Sequence, residues 1–445
     1  MLAMAPIAAI SAPALTLTEA LFLARQTDPQ LLAAKVNLTA AENRAAQALG
    51  ALRPQVTLAV TTTANQRNYQ VMDSPLPAIE DTYNSNSAQL NVTQSLWRRP
   101  NNIALTQARS VAAQTGHQLT GAEQDMLVRL AQAWFDLMSA RDALAFNAAQ
   151  VTATQHQSEQ ANRAAALGLA SGPMVEEALY KLAQAQADLS GAQSELSIKQ
   201  GALEQIIGPL ASVELPRLSD NFVASDPRNL SLPQWLSHVE VTNPAVLAGT
   251  RALDAANDEI RKQRAGHQPT LDMVFTYGRN AQAVGSFPGQ AGYGIDQQSI
   301  ALQLNVPLYS GGTQNAKVTE AMAMRDKAMH ELEGARRAAR LAATQAWHTW
   351  QAGYARHAAA QQSLKFTSLS LQAAIRGRDT GAKAELDVLQ ARQQWVGAAR
   401  DLQKARHDMT TSYIKLHATT GQLIDEDLTS LDSWFEPGSQ AAQRR

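Results

Sequence analysis

The sequence predicts a mixed α+β membrane protein, internally duplicated, with long antiparallel helices and four strands per chain. Three observations carry that expectation: a composition suited to thin helical packing, a plan that recurs along the chain, and alternating segments of bilayer length. Of 445 residues, 45% are hydrophobic but only 5% are aromatic and 17% charged, and alanine is mixed through glutamine-containing stretches. Such a composition favours helix and close packing over thick cores of bulky side chains.

No window holds the roughly 18 uninterrupted apolar residues that a membrane-spanning helix needs, and mean hydropathy is -0.25. Any membrane crossing therefore falls to strands. The net charge of -1 and pI of about 6.8 supply no basic field for a polyphosphate backbone, so no nucleic-acid partner is expected. The chain has no cysteine, which excludes disulfides, thiolate metal sites, cysteine nucleophiles and a lipid-anchored cysteine. Residues 1–14 are apolar and end Ser11-Ala12-Pro13-Ala14, a small-x-small arrangement like a signal-peptidase site, although no basic residue precedes it. They are read as a signal-peptide remnant.

The segment from Leu17-Thr18-Glu19 through Pro54 aligns without a gap on Leu232-Pro233-Gln234 through Pro269. In each half a helix start leads to Asp28-Pro29 or Asn243-Pro244, then to a second helix that ends at Arg53-Pro54 or Gln268-Pro269, where proline breaks it. Two strand-like segments follow, then a long helix, a glycine turn (Gly168, Gly381), a returning helix and a closing glycine (Gly208, Gly421). The expected division is a first repeat over 15–215, a second over 216–428, and a C-terminal tail over 429–445.

Strands are expected at 55–63, 88–97, 270–279 and 298–309, each about the length of a tilted bilayer-spanning strand. In the last, Ile300, Leu302, Leu304, Val306 and Leu308 alternate with Ser299, Ala301, Gln303, Asn305 and Pro307, the period of a sheet with one apolar face. Leu271, Met273, Phe275 and Tyr277 repeat the pattern, as do Val56, Leu58 and Val60. Trp97, Tyr277 and Tyr309 fall near strand ends, where an aromatic girdle would place them. Arg98-Arg99 marks an interfacial strand end. Four strands cannot close a barrel, and an open edge facing lipid would leave amides unpaired at several kcal/mol each. Further copies must complete it. Three would supply twelve strands and a lumen, whereas two would supply eight and an interior filled by side chains.

The long helices are expected over 101–166 and 313–380, on the order of 100 Å each at ~1.5 Å per residue. Their returning partners at 174–207 and 386–420 make antiparallel hairpins. Small residues at helical spacing (Ala183, Ala187 and Gly191; Ala391, Ala398 and Ala405) would let neighbours approach closely.

No catalytic or metal constellation emerges. The nine histidines are scattered, without His-Glu-x-x-His spacing. The serine of Gly168-Leu169-Ala170-Ser171-Gly172 stands one position too late for a nucleophile elbow, and Ser310-Gly311-Gly312 lacks the Gly-Lys-Ser/Thr ending of a phosphate loop. No cofactor and no enzymatic activity are expected.

With these landmarks in order, the chain resembles the TolC family of outer-membrane efflux and secretion channels, from Leu15 to about Leu428. The residues that carry the resemblance are Leu17-Thr18-Glu19-Ala20-Leu21, Asp28-Pro29, Gln94-Ser95-Leu96-Trp97, Val306-Pro307-Leu308-Tyr309-Ser310-Gly311-Gly312 and Leu386-Asp387-Val388-Leu389-Gln390-Ala391. The resemblance implies a homotrimer with a twelve-stranded barrel in outer-membrane lipid and a helical tunnel tapering through the periplasm. Its function would be the passive exit of a tripartite export system, supplied by an inner-membrane transporter (ABC, RND or similar) through a periplasmic adaptor, or membrane fusion protein. Type I protein secretion and multidrug efflux both use that plan, and the missing cysteine leans towards secretion.

The resemblance also implies site residues. Asp387 matches the first acidic position of the motif that rings the pore entrance, and Gln390 stands where the second acidic residue is usual, which removes one carboxylate ring. Arg378, Asp379 and Lys383 lie where family members close the entrance, with Arg378 at the usual tyrosine position. Gly168, Leu169 and Ser171, and Gly381 and Ala382, match the tips that meet the adaptor. A periplasmic coiled-coil scaffold without a channel is the alternative from another class. Four lipid-length alternating segments at equivalent positions speak against it.

Overall fold

The computed structural model describes residues 15–70, 72, 73, 75, 77–209, 216, 231–284 and 291–435, with the side chains of 385 and 386 excepted. The expected signal-peptide remnant and the tail beyond residue 435 lie outside the described residues.

Thr16 opens the first helix, α1 (Leu17–Thr27), with a reciprocal capping box: its hydroxyl accepts from Glu19 N–H at 3.1 Å while the Glu19 carboxylate accepts from Thr16 N–H at 3.0 Å. Pro29 forbids a helical Asp28, so α1 stops and α2 (Pro29–Gly50) restarts with proline in its first turn, where no amide hydrogen is needed. The second half repeats this with α5 (Leu232–Thr242), Asn243 and α6 (Pro244–Ala265). Between them lie β1 (Gln55–Tyr69), β2 (Ile79–Trp97), α3 (Arg99–Ala166) and α4 (Gly172–Ile207). After α6 come β3 (Thr270–Gln282), β4 (Tyr293–Asn305), α7 (Thr313–Asp379), α8 (Glu385–Ala418), α9 (Asp425–Ser430) and a 3-10 turn, Leu431–Trp434.

The described residues of 1–36, 117–247 and 334–445 make one compact unit, and those of 37–116 and 248–333 make another. Each unit draws on both halves of the sequence.

In the first unit the core gathers where α3 carries bulky residues at helical spacing: Met126, Leu127, Leu130, Trp134, Phe135 and Met138. Against them pack Leu17 and Leu21 of α1, Leu203 and Ile206 of α4, Trp350 of α7 and Leu416 of α8. Residues 429–435, placed by the sequence reading at the start of a tail, finish α9 and the 3-10 turn and bury Leu431 and Phe435. Asp432 there accepts from the amides of Leu17 at 3.1 Å and Thr18 at 3.2 Å, which occupies the positive end of α1. His407 lies in this core with its Nδ1 2.8 Å from Ser139 Oγ and its ring 5.7 Å from that of Phe135. Burial, with the Arg406 guanidinium adding to it, pushes His407 down to about 4.

Away from that core the hairpins pack through small residues. On α4 the stripe buried within the chain is Ala178, Ala185 and Ala192, seven apart, whereas Ala183, Ala187 and Gly191 are exposed on it. Alanine is so frequent on α4 that two faces offer small residues, and the seven-residue spacing suits a coiled-coil seam. On α8 the expected stripe is the one in place, with Ala391 and Ala398 buried and Ala405 half-buried.

In the second unit the strands form one antiparallel sheet in the order β1-β2-β3-β4. Strand β4 ends at Asn305, so the expected extension through Tyr309 is corrected: Pro307 has no amide hydrogen to give a ladder, and pairing stops before it. The strands also reach further from the helices than the alternation suggested, β1 to Tyr69, and β2 and β4 back to Ile79 and Tyr293.

Candidate functional site

The register of the sheet aligns apolar residues into rows. Val56 stands beside Val92, Val92 beside Phe275, and Phe275 beside Ile300. One row over, Gln94, Met273 and Leu302 line up, and Leu271 faces Leu304. Val56, Leu58, Val60, Ile300, Leu302 and Leu304 are all exposed, an apolar band that water would oppose and hydrocarbon would accept. The opposite face presents Thr57, Asn91, Thr276 and Ser299 in one row. Both outer edges of the sheet are open among the described residues, and every residue of β4 is exposed.

The two hairpin tips share one chain reversal. Gly168, at φ +73°, ends α3 with Gly168 N–H donating to Ala165 C=O at 2.9 Å and Leu169 N–H to Ala164 C=O at 2.8 Å. Gly381, at φ +75°, ends α7 in the same way, onto Arg378 at 2.9 Å and, through Ala382, onto Gly377 at 2.7 Å. This is the Schellman closure, which needs a left-handed residue at the glycine. Leu167 and Leu169 are left 75% and 78% exposed at the first tip. Ser171 supplies the extended residue before α4, and its carbonyl accepts from Met174 N–H.

At the second tip Arg378 binds the neighbouring Asp379 through Nε at 3.1 Å and Nη2 at 2.9 Å, both side chains being exposed. The Lys383 stem lies over Gly377, where a Cβ would stand 3.0 Å from Lys383 Cγ. Asp387 caps α8: its Oδ2 accepts from Ala384 N–H at 3.0 Å. Val388 and Ala391 turn towards α7 and pack on Ala374, Leu371 and Ile375. Asp387 and Gln390, three residues apart, share the exposed side.

Gln390 also lines a groove of about 1150 Å³ between the α3–α4 hairpin and α8, with Phe146, His156, Met174, Lys181 and Trp395. Lys181 donates to Glu177 on its rim at 2.6 Å and holds that carboxyl below its ordinary range. No motif or spacing in the sequence marks this groove. Its sequence signals are Trp395 and Phe146, large side chains on helices otherwise rich in small residues. Among the described residues no group of three or more His, Asp or Glu side chains is arranged to hold a metal ion.

A sheet with one apolar face and two open edges, joined in one chain to long paired helices, defines a subunit of an outer-membrane channel. The chain belongs to the outer membrane efflux protein family, whose model matches residues 20–209 and 235–422, one block in each half. It is 30% identical to the proteases secretion protein PrtF of Dickeya chrysanthemi, over 96% of this chain and 92% of that one. It is 27% identical to the outer membrane protein TolC of Vibrio cholerae, over 92% and 91%. Among solved structures, the fold matches the Campylobacter jejuni CmeC outer membrane channel with a TM-score of 0.76 at 15% identity, covering 94% of this chain and 90% of that one. The outer membrane protein VceC of Vibrio cholerae matches with 0.71 at 21%, covering 91% and 96%. The chain is an outer-membrane protein of a family of channels, not of enzymes.

Proposed function

We propose that this chain is one protomer of an outer-membrane exit channel, through which cargo handed over by an inner-membrane transporter and a periplasmic adaptor leaves the cell without energy input at the channel. The observation that carries the reading is the sheet with an apolar band that crosses all four strands and with two open edges. In lipid those edges must be paired. Three copies, edge to edge, make a twelve-stranded barrel with room for a lumen, whereas eight strands would leave an interior occupied by side chains. The helices of the three copies would line the rest of the passage, and the two repeats, 15–215 and 216–428, give each protomer equivalent hairpins.

The tips are the adaptor's docking points in this reading. Exposed Leu167 and Leu169 beside Gly168 offer apolar contact, and Ser171, Gly381 and Ala382 leave the backbone approachable. Asp387 supplies one carboxylate per protomer at the entrance, Gln390 leaves the second ring uncharged, and Arg378, Asp379 and Lys383 contribute to its closure. Cargo is best read as polypeptide: PrtF of Dickeya chrysanthemi and the alkaline protease secretion protein AprF of Pseudomonas aeruginosa are both named for protease secretion, and both align over more than nine-tenths of this chain. A second reading, small-molecule efflux, draws on the outer membrane efflux protein BepC of Brucella suis, 23% identical.

Fractionation and native mass measurement test the assembly. The expected result is recovery from outer membranes only with detergent, as a species of three chains. A protein that stays soluble without detergent would sink the barrel and leave the periplasmic scaffold.

A further inference from the structure

The sheet face opposite the apolar band is uncharged over most of its length. Its charged residues are Arg67, Asp81 and Asp272, and each is paired. Arg67 and Asp81 are directly opposed near the free ends of β1 and β2 and meet at 2.6 Å, with Asp81 fully buried. Asp272, near the helical end of β3, meets Arg98 at 2.6 Å and is itself buried.

Between those two pairs the rows contain hydroxyls, amides and small or apolar groups alone, and they bond to one another. Thr276 Oγ1 donates to Asn91 Oδ1 at 3.3 Å, and Asn65 Nδ2 donates to Ser85 Oγ at 2.9 Å. A hollow of about 320 Å³ on this face is likewise lined by uncharged residues, Tyr83, Asn280 and Gln282 among them. The other face differs: Arg279 and Asp296 share a row with Val60 and Ala88 at the margin of its apolar band, and Glu80 lies further along β2.

We propose that this face is an uncharged exit wall that does not sort cargo by the sign of its charge, so that the cargo class is hydrophilic polypeptide of either net charge. The proposal rests on the reading of the sheet as part of a barrel with this face towards the lumen. A fixed charge on a narrow pore wall concentrates one sign of cargo and repels the other. Here the wall offers donors and acceptors that exchange with water at little net gain, so an extended peptide finds neither a charge barrier nor a tight binding site. Charge selection is left to the entrance carboxylate.

The test uses the full-length protein in planar bilayers, with oligolysine and oligoglutamate peptides of equal length added on the side where the barrel opens and driven by equal voltages of opposite polarity. Current-blocking rates for the two peptides are expected to agree within about threefold, whereas one sign-selective wall charge should separate them by about tenfold or more. Asn91→Asp should then favour oligolysine by about tenfold and Asn91→Lys oligoglutamate, with Gln89→Lys as an independent position. A channel that still favours one peptide by about tenfold after Asp387→Asn has removed the entrance charge overturns the proposal. So do charge variants that conduct normally and leave the ratio unchanged, because the face would then not line the lumen. Absence of any current overturns the channel reading itself.

Discussion

Arg129 of α3 grips Asp28, the residue between α1 and α2, through both terminal nitrogens, Nη1 to Oδ1 at 3.2 Å and Nη2 to Oδ2 at 2.8 Å. Asp28 is buried and also accepts from Leu31 N–H at 3.1 Å. Its counterpart, Asn243, uses its own amide instead: Oδ1 accepts from Ala245 N–H at 3.0 Å and Nδ2 donates to Thr419 C=O at 2.9 Å. The acid needs a cation where the amide carries its own donor. Asp28→Asn should therefore not be neutral, despite the precedent of the second half. Loss of about 2 kcal/mol is expected, because Arg129 keeps its charge without the carboxylate. Denaturant titration of the detergent-solubilised protein, followed by tryptophan fluorescence, measures it.

The two faces of β4 should respond oppositely to one residue. Ile300→Arg places a charge in the apolar band and is expected to cost about 2–4 kcal/mol at mid-bilayer, lowering the fraction integrated into outer membranes. Ser299→Arg, one position away, should integrate normally. Equal loss from both would contradict the assignment of faces.

Acid should destabilise the helical unit through His407. Its native value of about 4 lies below the ordinary 6.5, so the folded state favours the neutral ring. Above pH 6.5 neither state holds the proton and the group is indifferent. As pH falls from 6.5 towards 4 the unfolded chain takes up a proton that the native chain refuses, and up to about 3 kcal/mol is lost. Buried His357 and half-buried His417 are displaced in the same direction, mainly by burial. A stability profile against pH should show this limb, and His407→Gln should flatten it.

At the tips, Gly381→Ala forces a side chain into a left-handed backbone and should cost about 1 kcal/mol. The effect should stay local. Hydrogen exchange is expected to quicken at Ala382 and Lys383, whose amides close the reversal on Gly377, while the core near Trp134 remains protected.

Much of this architecture was legible because it rests on local rules. Asp28-Pro29 and Asn243-Pro244 mark helix restarts, glycines mark the reversals, and alternation in 298–305 marks a strand with one apolar face. The missed parts lack such signals. Residues 64–69 and 79–87 pair as strands, but Asn, Ser and Thr on both faces show no apolar period. Val306 and Leu308 continue the alternation past the point where Pro307 ends the ladder. On α4, alanine on several faces concealed which stripe is buried. At the candidate entrance, Asp387 and Gln390 were legible only through the resemblance to a family motif, whereas the bond from Asp387 to Ala384 N–H is legible only in three dimensions.

That bond sets which substitution at Asp387 removes the charge alone. Asp387→Asn keeps an acceptor for Ala384 N–H while removing the charge, so the helix end should survive. The measurement is single-channel conductance of the detergent-purified protein, with ion selectivity read from reversal potentials in a salt gradient. Steady conductance is expected from a three-chain species, with cation preference reduced by Asp387→Asn and strengthened by Gln390→Glu. Absence of conductance from a protein that folds without detergent would contradict it.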